Sequence, residues 1–128
     1  MTLPNAIEVV TLFVDDITKA KDFYGRVFQP EVIYHDQVSC VLNFDGAAVN
    51  LLEASQAVEL VQPALVAPAT AGARALLTIR IADVDAKCTL LLGLGVSLLN
   101  GPVDRPWGRR TAAFADPSGH VSEVAQEI

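Results

Sequence analysis

The stretch VVTLFVDDI, residues 9–17, returns later in the chain as LLTIRIADV, residues 76–84. The two align position for position: Thr11 with Thr78, Asp16 with Asp83, Ile17 with Val84. Each is a run of β-branched and apolar residues that closes on an aspartate, which reads as a strand followed by the start of a helix. In the first copy, Ile17, Ala20, Phe23, Tyr24 and Val27 recur at helical spacing. Asp16 or Thr18 is placed to cap that helix, Gly25 weakens it and Pro30 stops it. In the second copy, Val84, Cys88, Leu91 and Leu92 are predicted to share one helix face.

Three strands are expected after each helix. In the first half they are EVIYHD, SCVLNF and AAVNLLEA, with Asp45-Gly46 as a tight hairpin turn. In the second half they are VSLLN, RRTAAFAD and HVSEVAQ. The repeating unit is therefore βαβββ, present twice, and a repeat of this kind decides the fold. Module 1 spans about 5–54 and module 2 about 74–128. They are joined by 55–73, an alanine- and proline-rich crossover read as having little regular structure, within a single domain covering 1–128. Strand side chains alternate between two faces. In the first strand Val10, Leu12 and Val14 share one face, and Val9, Thr11 and Phe13 the other. One face packs on the helix. The other needs cover from the partner half, a second chain or a ligand. The predicted class is α+β, with two curved half-sheets around a cavity.

Composition narrows the function. Hydrophobic residues make up 52% of the 128, enough for a packed core, and this excludes a disordered chain. A net charge of −6 argues against nucleic acid as a partner, since phosphate binding needs a basic surface. It weakly favours cationic ligands. Cys40 and Cys88 lack CxxC spacing and sit among apolar residues, as expected for buried thiols in a reducing compartment. MTLPNAIEVV has no signal-peptide pattern and no apolar run is long enough to span a bilayer, so the expectation is a cytoplasmic protein without membrane contact.

On VVTLFVDDITKAKDFYGRVF, LLTIRIADVDA and FADPSGHVSEVAQ, the chain resembles the glyoxalase, bleomycin resistance protein and extradiol dioxygenase group, the vicinal oxygen chelate superfamily. The Asp-Pro-x-Gly turn before an alternating strand is the most specific local sign. In metal-dependent members, the resemblance implies four ligands, one on the first and one on the last strand of each module. Carried over, those places fall on Val9, Leu51, Leu76 and Glu123, and only Glu123 is a ligand type. Glu53 lies two residues from Leu51 on the same predicted face. The expectation is therefore no metal and no cofactor.

RPWGRRTAAFADPSGH is similar to the metal-free, bleomycin-resistance-like members, whose Pro-Trp-Gly turn precedes an arginine and a strand. That resemblance implies a homodimer sequestering a small molecule in a cavity or dimer cleft, in the manner of antibiotic resistance. The ligand would be a planar aromatic or cationic compound. Trp107 is the stacking surface, with Arg109, Phe13, Thr11, Leu51, Thr78, Arg80 and Glu123 as the other ligand-binding candidates. Arg109 and Arg110 are expected on opposite faces, and Arg80 is expected to be buried and balanced by Glu123 or Glu53. His120 follows a turn glycine, where a turn role is expected. The competing reading is a lyase, isomerase or dioxygenase-type enzyme with a divergent site. There Glu123 would be the general base and Arg80 or Arg109 would hold an oxyanion.

Overall fold

A computed structural model describes residues 2–128. The chain divides into two compact units, one ending at Pro68 and the other starting at Ala69. Each is one βαβββ module built as an α+β sheet with a helix on one face, as the repeat predicts.

In the first unit β1 (Val9–Val14) leads into α1 (Ile17–Phe28), followed by β2 (Glu31–His35), β3 (Ser39–Phe44) and β4 (Ala47–Glu53). The sheet order is β1-β4-β3-β2, with β1 parallel to β4 and the other pairs antiparallel. Asp16 is the N-cap of α1, its side chain accepting from Lys19 N–H at 3.0 Å. The helix ends at Gln29 in the left-handed region, just before Pro30. Its buried stripe, Ile17, Ala20, Phe23 and Tyr24, follows the predicted spacing. Tyr24 stacks on Phe28, and Phe28 meets Phe44 of β3 edge-on at 5.1 Å, tying helix to sheet.

In the second unit β5 (Leu76–Arg80) leads into α3 (Val84–Gly93), with β6 (Leu98–Arg105), β7 (Arg109–Ala115) and β8 (Val121–Glu127) in the order β5-β8-β7-β6. Asp83 repeats the capping role of Asp16, accepting from Ala86 N–H at 3.0 Å. The side chain of Gln126 on β8 accepts from the Val84 N–H, so two of the helix's unpaired donors are met from outside. The helix closes with Gly95 N–H donating to Leu92 C=O and Val96 N–H to Leu91 C=O, a Schellman motif for which Gly95 supplies the positive φ. Arg110 clamps this helix to the β6–β7 hairpin. It pairs with Asp85 of α3 at 3.0 Å and Asp104 of β6 at 2.9 Å, and the two carboxylates raise its pKa further.

Three expectations need correction. Leu92 is 59% exposed, because it lies about 80° round the helix from Val84 at 100° per residue, off the stripe that Val84, Cys88 and Leu91 share. The crossover is less irregular than read, holding a 3-10 turn at Ala54–Gln56, the short helix α2 (Val58–Val61) and a second 3-10 turn at Ala69–Ala71. β6 runs on to Arg105 through Pro102, which its place at the sheet edge permits. Cys40 and Cys88 are free buried thiols, and burial pushes both pKa values up. No helix among the described residues is long and apolar enough to cross a membrane.

Candidate functional site

In each unit the parallel pair of first and last strands decides which side chains lie on the face away from the helix. Register partners in a ladder share a face. In the first unit Leu12 pairs with Leu51 and Val10 with Val49; Leu12, Leu51 and Val49 are buried, which marks this as the helix side. The other face carries Thr11 opposite Asn50 and Phe13 opposite Leu52. In the second unit the face away from α3 carries Leu76, Thr78 and Arg80 on β5. Glu123 and Glu127 follow on β8, Arg109 and Thr111 on β7, and Arg105 on β6.

Leu51 is therefore corrected. It is 0% exposed on the helix side, out of reach of any ligand on the other face, and Glu53 shares its parity. A one-residue shift in strand reading moves a side chain to the opposite face. The repeat confirms the shift: Thr78 pairs with Glu123 just as Thr11 pairs with Asn50. Asn50, not Leu51, occupies the place in the first module that Glu123 occupies in the second.

The two equivalent pairs are both joined by hydrogen bonds. The Thr78 hydroxyl donates to Glu123 Oε1 at 3.0 Å, and Asn50 Nδ2 donates to Thr11 Oγ1 at 3.5 Å, a weak contact. Asn50 Oδ1 is buried and is the one buried side-chain oxygen or nitrogen without a partner among the described residues. The four places that hold metal in metal-dependent relatives thus carry Val9, Asn50, Leu76 and Glu123. Of these, Val9 and Leu76 offer no donor atom, while Asn50 offers an amide oxygen and Glu123 a carboxylate. Among the described residues no three His, Cys, Asp or Glu side chains gather as a metal-binding group.

Trp107 lies in the three-residue turn of the β6–β7 hairpin, closed by Gly108 N–H donating to Arg105 C=O at 3.1 Å. Gly108, at φ +85°, supplies the left-handed residue that such a loop needs. The indole is 68% exposed. Arg109 and Arg110 do take opposite faces. Arg109 pairs with Glu127 at 3.0 Å on the face away from the helix, and Arg110 pairs with Asp85 on the helix side. Arg80 is not buried: its side chain is 72% exposed on edge strand β5, and its partner is Glu127 at 3.7 Å, not Glu123 or Glu53. His120 takes the expected turn role, its N–H donating to Asp116 Oδ1 at 3.0 Å while its C=O accepts from Asp116 N–H.

The family model for the Glyoxalase/Bleomycin resistance protein/Dioxygenase superfamily matches residues 6–124. Among solved structures, a glyoxalase/bleomycin resistance protein/dioxygenase from Nocardioides superposes with a TM-score of 0.86 at 19% identity, covering 100% of this chain and 87% of that one. A lactoylglutathione lyase from Agrobacterium tumefaciens gives 0.78 at 20% identity, covering 97% and 95%. TnmS3, an antibiotic binding protein from Streptomyces sp. CB03234, gives 0.75 at 25% identity over 100% of both chains. No curated protein matches the chain. A lyase and a binding protein on one fold leave the function to be argued from side chains.

Proposed function

The chain belongs to the Glyoxalase/Bleomycin resistance protein/Dioxygenase superfamily, and from that premise we propose that it is a metal-independent protein that binds and sequesters a planar aromatic small molecule. The observation that carries this reading is Trp107. The sole tryptophan is held out at a hairpin tip by Pro106 and Gly108, 68% exposed, and among the described residues its indole has no hydrogen bond or ring contact. A large apolar ring kept in water on a constrained turn is a stacking surface awaiting a partner. In the same unit as this turn, the face of the sheet away from α3 supplies a polar complement through Thr78, Glu123 and Arg109. In the first unit the corresponding face carries Thr11, Asn50 and Phe13 as that unit's own ligand-binding candidates. The likeness to an antibiotic binding protein supports binding over turnover, and a symmetric homodimer is the assembly proposed for it.

A second reading keeps Glu123 as a general base, since Thr78 fixes one carboxylate oxygen and leaves the other unengaged. Fluorescence of Trp107 separates the two readings. Heteroaromatic compounds, bleomycin first, are expected to quench it without being consumed. Trp107→Ala should weaken binding by about 1–3 kcal/mol, a factor of about 5–150, at an unchanged unfolding midpoint. Full affinity in the alanine variant would overturn the role given to the tryptophan.

A further inference from the structure

The face of the second sheet away from α3 holds a guanidinium with no counter-charge. Arg105 ends β6, Arg109 opens β7, and the two are register partners. Two like charges directly opposite one another cost stability on their own. Arg109 is neutralised: its Nε donates to Glu127 Oε1 at 3.1 Å, its Nη2 forms an ion pair with the same oxygen at 3.0 Å, and Arg80 shares that carboxylate at 3.7 Å. Arg105 is not. Its Nε donates to Thr111 Oγ1 at 3.0 Å and its Nη2 to Asn100 Oδ1 at 3.1 Å, both neutral oxygens. Among the described residues no carboxylate lies within ion-pair distance of it.

Two neutral acceptors thus fix the plane of the guanidinium without cancelling its charge, and Nη1 has no partner among the described residues. A planar fork oriented in advance loses little entropy when it meets a carboxylate. On this face three arginines, 80, 105 and 109, stand against two glutamates, 123 and 127. One positive charge remains on a chain whose total is −6. The turn between Arg105 and Arg109 is the one that carries Trp107.

We propose that the ligand is an aromatic anion. Its carboxylate or other acidic group is bound by Arg105, with Arg109 beside it, while its ring lies on Trp107. This deepens the aromatic-binding reading and rests on it, and it replaces the cationic ligand that the overall acidity suggested. The charge of the whole chain acts at long range and is screened by salt; a fixed guanidinium acts at contact.

The test compares 2-naphthoate, 2-naphthamide and 2-naphthylmethylammonium by calorimetry, while NMR follows the Arg105 Nε–H resonance. Naphthoate is expected to bind about tenfold or more tighter than the amide, and the ammonium ion weakest. Naphthoate alone should shift the Arg105 resonance. Arg105→Gln should abolish the preference, and Arg105→Lys should restore part of it. Equal affinity for naphthoate and naphthamide would overturn the anion site and leave the aromatic reading standing. If no naphthyl compound binds but inorganic phosphate shifts Arg105, the anion site is supported and the aromatic reading falls. If neither phosphate nor naphthoate moves the resonance, the proposal is wrong, whatever the variants do.

Discussion

Leu51 and Asn50 are neighbours in one strand, yet the structure gives them opposite duties, and a pair of substitutions tests that division. Leu51 is 0% exposed on the helix side of its sheet, opposite the buried Leu12. Truncation to alanine removes its branched end from a packed interior and leaves a cavity, a loss of about 2–5 kcal/mol. Asn50 makes one weak hydrogen bond of 3.5 Å through Nδ2, and its Oδ1 is buried with no partner. A buried acceptor left unsatisfied costs about 1–3 kcal/mol, and a hydrogen bond of ordinary geometry returns about 1 kcal/mol. Asn50→Leu, of similar size, removes both terms and adds apolar contact. The expected change is within about 1 kcal/mol of zero, with its sign toward greater stability. Urea denaturation followed by far-ultraviolet circular dichroism measures both variants, and an unchanged slope confirms that only stability has moved. If Leu51→Ala were tolerated within about 0.5 kcal/mol while Asn50→Leu cost more than about 2 kcal/mol, the assignment of faces would be reversed, and with it every site residue placed by that register.

Gly101→Ala is expected to unfold the second unit or cost it several kcal/mol. The new Cβ would be forced against Thr111 O and would lie 2.7 Å from Ala112 Cα, at a backbone φ of +87° that alanine resists. Near-wild-type thermal stability in that variant would contradict the close approach of β6 and β7. Asp36 titrates at about 2 rather than 3.8, held down first by the Val38 N–H and then by the Tyr34 hydroxyl and Ser39. A depressed folded pKa means its stabilisation is complete above pH 3.8 and is lost as pH falls from there through about 2. Carboxyl NMR titration should place it there, Asp36→Asn should flatten stability over that window, and a midpoint near 3.8 would remove the argument.

The fold was legible because its signals are local and doubled. Asp16 and Asp83 stand at the same place in both copies and cap both helices, and the i, i+3, i+7 stripe of α1 is unambiguous. The site was harder to read where the decisive fact is a partner strand. In AAVNLLEA, Val49 and Leu51 are apolar on one parity and Leu52 on the other, so alternation alone does not choose a face. The pairing of Thr11 with Asn50 does. Alternation on β5 points Arg80 away from the helix and so predicts burial, but β5 is an edge strand and leaves the side chain in water. Nothing in the local sequence marks Arg105 apart from Arg109 and Arg110 as a cation. The signal was present in the turn: Pro-Trp-Gly is a three-residue hairpin loop, and such a loop sets the residue before it opposite the residue after it.

The repeat also separates what each module needs for folding from what it is free to vary. On the helix side, Val10, Leu12 and Val14 align with Leu77, Ile79 and Ile81, all apolar. On the other face, Thr11 and Thr78 agree, but Phe13 aligns with Arg80 and Asn50 occupies the place of Glu123. The differences in charge therefore gather on the faces away from the helices. An apolar ring and a neutral amide in the first unit stand where the second has a cation and an anion. Substitution on the charged side, at Arg80, Arg105 or Glu123, is then expected to change which molecule is bound without disturbing the packing under α3. The same substitution one residue along the strand, at Ile79 or Val124, enters the helix-facing side and acts on stability instead. Selectivity and stability in the second unit are thus held by alternate residues of the same strands.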